Sequence, residues 1–277
     1  MTGAVLWVQF DAGSLGHLGA TIGADMRIVY FANGPVALDI LRFLREAGEE
    51  IVGLVLHEPE AQRLGDEIRA ASGLDDDAVF TAGQLGAQTT IDAIATLGAD
   101  IGYSALFAHI LKPAVLGLFP DGVLNVHPGY LPYNRGRNAQ IWGIVEHTPV
   151  GATLHTMDES VDTGAIVHRV PVAIDATDTG ASLRSKLERA CVDVAKAGWP
   201  AVLAGAPTIP QSLSEGTAHK VRDLEAIARI DLDATYRAGD LIDLLRALTS
   251  PPQANGAYVE IDGRKIRLSL TLEEEEI

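Results

Sequence analysis

The stretch MRIVYFANGPVALDILRFLREAG, residues 26–48, sets the fold class. Its first half is an apolar run closed by Asn33-Gly34. Its second half repeats Val36, Ile40, Phe43 and Leu44 at helical spacing, with Pro35 suited to a first turn and Gly48 to a stop. A buried strand, a tight turn and an amphipathic helix make the opening unit of an α/β fold. The alternation continues downstream. IVGLVL (51–56), ADIGYSAL (99–106) and GVLNVH (122–127) read as strands, Glu60–Ala71 and Thr89–Leu97 as helices, and Pro113–Leu118 as a short connecting segment. A helix near Asn138–His147, strands VGATLHTM and AIVHRVPVAI around a polar loop, and a long helix over Ser182–Leu203 complete the main body. Continuous apolar strands imply a Rossmann-like, mostly parallel sheet covered on both faces, with ligands bound beyond the carboxyl ends of its strands.

Outside this body the texture differs. Pro207 and Pro210 mark a linker, LIDLLRALTS (241–250) reads as one helix, and GAYVEIDGRKIRLSL (256–270) as a β-hairpin turned at Asp262-Gly263, before an acidic tail. At the other end the glycines at 13, 16 and 19 form G-x-x-G-x-x-G, which lacks the spacing of a dinucleotide-binding turn. Residues 1–25 are expected to be a loosely packed extension, or the product of a start assigned too early, with Met26 as the true beginning.

Composition narrows the partners. The chain has 277 residues, 21 Lys+Arg against 37 Asp+Glu and a net charge of −16, which disfavours a protein whose main ligand is nucleic acid. One cysteine excludes a disulfide framework and suggests a reducing compartment. No apolar run reaches the roughly 18 residues of a membrane span, and no Lys or Arg precedes Arg27 to make a secretory n-region. A cytoplasmic protein is expected, with no membrane partner. His147, His155, His168 and His219 are scattered without ligand-like clustering, and no metal is expected. Cys191 reads as a small core residue and Trp142 as core packing.

The residues with chemistry sit in NVHPGYLPYNRGRNAQIW (125–142) and MDESVDTGAIV (157–167). Asn125 and His127, two apart at a strand end, share one face. Asp162 follows in a loop thirty-five residues after His127, with Asp158 and Glu159 expected mainly to solvate that loop. An amide that donates to a developing oxyanion, an imidazole that moves protons and a carboxylate that orients it can divide the labour of acyl transfer. A His before Pro at a strand end is also a common structural residue, so spacing alone leaves both readings open.

The motif decides between them. Asn125-x-His127, Leu131-Pro132 and the later Asp162-Thr163-Gly164 resemble the folate-dependent formyltransferases, over roughly Met26 to Pro207. The resemblance implies the formyltransferase fold, with residues 26–205 as catalytic domain and 206–277 as a small C-terminal helix-and-hairpin region. It implies catalytic roles for Asn125, His127 and Asp162, and 10-formyltetrahydrofolate as formyl donor. His109, Ile110 and Leu111 in LFAHILKP, together with Asp162, would contact that donor. The implied reaction is direct attack of an acceptor amine on the formyl carbon, with no acyl-enzyme.

Within the family, HPGYLPYNRGRNAQIW and the short C-terminal region are most similar to the sugar N-formyltransferases, whose hairpin commonly takes part in dimerisation. The implied acceptor is the amine of a nucleotide-linked amino deoxysugar and the implied assembly a homodimer. Another small amine or methionyl-tRNA is the alternative. A formyltetrahydrofolate hydrolase would use the same three residues, but its relatives carry a longer N-terminal domain, and a catalytically dead folate-binding module sits poorly with an intact triad. Gly129-Tyr130 stand where many relatives carry Ser-Leu, a change expected to alter the lining near the acceptor.

Overall fold

The strand read from residues 26–34 is β1 (Arg27–Ala32), buried from Ile28 onward and lying inside a seven-stranded sheet. The computed structural model describes residues 25–250 and 256–275; the expectations for residues 1–24 lie outside the described residues. After β1 come α1 (Pro35–Glu46), β2 (Glu50–Leu56), α2 (Gly65–Ser72), β3 (Val79–Thr81), α3 (Gln88–Thr96), β4 (Ile101–Ala105), α4 (Pro113–Leu116) and β5 (Val123–His127). The chain continues through β6 (Arg135–Gly136), α5 (Ala139–Val145), β7 (Gly151–Thr156), β8 (Ile166–Pro171), α6 (Gly180–Leu203) and β9 (Ala218–His219). It ends with α7 (Val221–Ala228), α8 (Ala238–Leu248), β10 (Tyr258–Ile261) and β11 (Arg264–Arg267).

The sheet order is β3-β2-β1-β4-β5-β7-β8. The first five of these strands are parallel, whereas β7 pairs antiparallel with both β5 and β8. The order reverses between β1 and β4, and that switch point opens a crevice at the carboxyl ends of the strands. One face packs on α1 and α6 through Ile40, Leu44, Cys191, Val194 and Trp199. The other is closed by Ile94 of α3 and by Phe107, Val115 and Phe119. A third cluster joins α5 and α6 to the C-terminal region through Ile141, Leu187, Leu224 and Leu248.

Three local readings need correction. Residues 60–64 do not form the α-helix expected: Pro59–Ala61 make a single 3-10 turn, and Arg63 N–H donates to Asn33 Oδ1 while its carbonyl accepts from Gly34 N–H, which straps this loop to the turn after β1. Leu64 consequently takes φ +57° and the helix starts only at Gly65. Among the described residues beyond 205 there are two helices where one was expected, because the eight-residue VRDLEAIA is too short for its periodicity to stand out. The segment read as a linker is bonded to the main body, with Ile166 and Ile209 exchanging two main-chain hydrogen bonds of 2.8 Å. The hairpin turns at Asp262-Gly263 as expected.

Candidate active site

Strand register builds the site. Ser104 of β4 lies beside Asn125 of β5, and Asn125 lies opposite His155 of β7, so three neighbouring strands set one row of side chains on one face. Ser104 Oγ–H donates to Asn125 Oδ1 at 2.8 Å, and Asn125 Nδ2–H donates to His155 Nε2 at 3.1 Å. The Nδ1–H of His155 donates to the Thr156 carbonyl at 2.8 Å. This directionality fixes the tautomer: Nδ1 carries the proton and Nε2 accepts. Burial pushes the His155 imidazole down to about 4, with Asp162 opposing and His127 assisting, so the ring is neutral. An Asn amide has two N–H groups, and His155 takes one. The second is left for the cleft that Asn125 lines.

His127 follows two residues later on the same face. Its Nε2–H donates to the Asn134 carbonyl at 3.2 Å, which leaves Nδ1 facing Asp162 Oδ2 at 3.4 Å. Both side chains are largely buried, His127 at 6% and Asp162 at 13% exposure. Asp162 Oδ2 also accepts the Gly136 N–H at 2.8 Å, while its Oδ1 lies 3.8 Å from His155 Nε2. Asp162 itself sits at φ +55°. Two residues on, a Cβ at Gly164 would lie 1.7 Å from the Thr156 carbonyl oxygen, so the turn demands glycine there. Asn125, His127 and Asp162 are thus brought together at the carboxyl end of β5.

They line a cleft of about 900 Å³. Its wall beyond β4 is the segment 106–111. His109 packs edge-on against His57 (ring centroids 4.6 Å apart) and near Phe107. Ile110 is 74% exposed, whereas the Leu111 side chain is buried at 2% and can offer a ligand only its backbone. The N–H groups of Ala108, Ile110 and Leu111 make no hydrogen bond among the described residues. His57 beneath them is pushed down by burial and by His109 and Arg137. Among the described residues six basic side chains line the cleft (Arg63, Arg135, Arg137, Arg184, Lys220 and Arg222) against four carboxylates, the reverse of the whole chain's balance. Arg63, Arg135 and Arg137 are paired with no carboxylate among the described residues.

Several residues read differently in three dimensions. His155, read as one of a scattered set, is in contact with Asn125 and Asp162. No alternation in TLHT singles it out, since β7 is buried from Gly151 to His155, and an antiparallel register cannot be read from one strand. His219 stacks flat on Trp142 (centroids 3.9 Å, 8° between planes) and lines the cleft. Trp142 is a buried core residue, as is Cys191. Asp158 accepts from Ser160 N–H and Thr163 Oγ–H, so it shapes its loop as well as facing water. Gly129 and Tyr130 do not line the cleft: Tyr130 turns away under the Arg169 guanidinium, and a Cβ at Gly129 would meet His127 Nε2 at 2.5 Å. Among the described residues no group of three His, Cys, Asp or Glu side chains could hold a metal ion, and no helix is long and apolar enough to cross a membrane.

Comparison with known proteins bears on this geometry. The sequence model of the family described as Formyl transferase matches residues 26–197, and one described as N-formyltransferase dimerization C-terminal domain matches residues 223–274. The chain is 33% identical, over 157 residues, to the dTDP-4-amino-4,6-dideoxyglucose formyltransferase of Mycobacterium tuberculosis, covering 56% of this chain and 67% of that protein. Its fold is similar to that of a sugar N-formyltransferase from Shewanella sp FDAARGOS_354, with a TM-score of 0.75 at 22% identity over 91% of this chain and 99% of that one. It is also similar to WlaRD, a sugar 3N-formyl transferase solved in the presence of dTDP and 5-N-formyl-THF. There the TM-score is 0.67 at 17% identity, over 91% of this chain and 88% of that one.

Proposed function

The chain belongs to the formyl transferase family, and from that premise we propose that it moves the formyl group of 10-formyltetrahydrofolate to the amine of a nucleotide-linked amino deoxysugar. The observation that carries the acceptor class is the charge of the cleft. A protein of net charge −16 gathers three uncompensated guanidinium groups beside Asn125, His127 and Asp162, which suits an acceptor bearing phosphates. The 33% identity to a formyltransferase acting on a dTDP-linked amino sugar supports the same class. The donor fits the wall at 106–111, where the unpaired main-chain N–H groups at 108, 110 and 111 offer hydrogen bonds to a flat heterocycle beside the apolar Phe107 and Met157.

The bound folate supplies an activated formyl carbon and leaves with one proton more. The protein's part is orientation and proton handling. The free N–H of Asn125 faces the formyl oxygen as negative charge develops on it, an interaction stronger in the transition state than in the ground state. Asp162, with its carboxylate fixed by Gly136 N–H, receives the proton that the attacking amine sheds. His127, bonded to the Asn134 carbonyl through Nε2, presents Nδ1 to Asp162 and shares that proton with it, and Asp162 passes the proton on to the leaving nitrogen. A homodimer is supported by the match of residues 223–274 to a dimerisation domain and by Ile261 and Ile266, 41% and 43% exposed on the hairpin. A cytoplasmic setting accords with the single, buried cysteine.

The test is a transfer assay with 10-formyltetrahydrofolate and a panel of dTDP-linked 3-amino and 4-amino deoxysugars, read by product mass. One added formyl group on one sugar, lost in His127→Ala, is the expected result. Formylation of none of the sugars by a protein that still binds the folate would overturn the acceptor class.

A further inference from the structure

Gln211 lies between α6 and β9, in the stretch whose sequence suggested only a linker. Its amide reaches the loop between β7 and β8, where Nε2 lies 2.9 Å from the Asp162 carbonyl oxygen and 2.6 Å from that of Gly164. Two carbonyls can be met only by donors, so both N–H groups of the amide are committed and its orientation is fixed. The cost of that orientation is visible: Gln211 Oε1 is buried without a donor among the described residues. Native structures rarely tolerate such an atom without a use.

The bracketed residue is the one that needs holding. Asp162 has φ +55°, in the left-handed region that residues other than glycine seldom adopt. Its carboxylate, anchored on Gly136 N–H, faces His127 Nδ1 only while the backbone keeps that turn. The reciprocal main-chain bonds of Ile166 and Ile209 deliver Gln211 to the loop. Further along the same stretch, Thr217 Oγ1 accepts from Asn134 N–H, and β9 pairs with β6, which contains Gly136. One segment therefore braces both loops that meet at the site.

We propose that Gln211 is a positioning residue for formyl transfer: it clamps Asp162 in the backbone geometry that aims its carboxylate at His127. It acts through Asp162 and touches no reacting atom. The proposal rests on the reading of Asp162 and His127 as the pair that handles the proton.

Gln211→Met keeps the length of the side chain and removes both donors. Displacing a catalytic group by a fraction of an ångström to one ångström costs about tenfold to hundredfold in rate, so kcat is expected to fall by that factor. KM for the acceptor should stay within about twofold, because no acceptor contact is removed. The decisive readout is a double-mutant cycle with Asp162→Asn, using long incubations and product mass. If Gln211 works through Asp162, adding Gln211→Met to Asp162→Asn costs nothing further, whereas multiplying losses would overturn the proposal. Unchanged kcat in Gln211→Met would overturn it too. Should Gln211→Met fail to fold, Gln211→Glu carries the same cycle, since an ionised carboxylate keeps the shape and donates nothing. A crystal structure of either variant gives an arm independent of any acceptor. Asp162 still at positive φ with its carboxylate on Gly136 N–H would refute the clamp, and a turned or disordered Asp162 would support it. Failure of the wild-type protein to formylate any amino sugar would count against the acceptor reading alone, leaving this structural arm to decide on Gln211.

Discussion

His155 should leave a signature in how stability follows pH. Its imidazole titrates at about 4 in the folded protein against an ordinary 6.5. Between those values the unfolded chain binds more protons than the native one, so stability is lost as the pH falls through that window. Integrating the linkage for this one group between about pH 8 and pH 5 gives a loss of about 2 kcal/mol. The dominant cause is burial, and the ring is 2% exposed, so solvent screening does little to reduce it. His155→Gln removes the titration while its amide oxygen can still accept the Asn125 N–H. Urea unfolding of both proteins at the two pH values, at one fixed protein concentration, isolates the effect because every other titrating group cancels in the double difference. Wild type should lose about 2 kcal/mol more than His155→Gln on acidification. Equal losses would refute the reasoning, as would an NMR titration in which the native ring takes up a proton near its ordinary value. Activity supplies a parallel test. His155→Leu strands the Asn125 amide without its acceptor, an effect of about 1–1.5 kcal/mol or roughly tenfold in kcat, which His155→Gln should largely spare.

Asn125→Ala removes the donor aimed at the developing oxyanion and should lower kcat about 10²- to 10³-fold, with folate binding intact by fluorescence titration. Removing Arg63 and Arg137 together should raise KM for a diphosphate-bearing acceptor at least about tenfold and leave KM for the folate nearly unchanged, since each charged hydrogen bond lost is worth about 1.5–3 kcal/mol. Gly164→Ala forces a Cβ into the Thr156 carbonyl; it should cost at least about 1–3 kcal/mol in unfolding free energy and reduce turnover by displacing Asp162.

The parallel half of the fold was legible because its strands are short apolar runs punctuated by Gly, Pro and Asn. The strand from residue 26, the helix from Pro35 and the hairpin at Asp262-Gly263 all follow local rules. What escaped the sequence depends on tertiary bonds. The loop at residues 62–64 is held out of a helix by Asn33, some thirty residues away. The three-residue β3 has too little sequence for periodicity to register. The row Ser104–Asn125–His155 requires knowing that β7 pairs antiparallel with β5 in one register, and a single-residue slip would turn His155 to the other face. Gln211 carried no signal at all, because its partners are main-chain carbonyls, which any residue could supply.

The reversal of charge inside the cleft has a kinetic consequence. At long range an anionic acceptor meets the field of a −16 body and is repelled; only within roughly a Debye length, about 8 Å at physiological salt, do the local guanidinium groups dominate. Adding salt from very low ionic strength should therefore speed association before it weakens retention. Electrostatically steered enzymes fall monotonically with salt, but here the encounter rate of the acceptor should pass through a maximum.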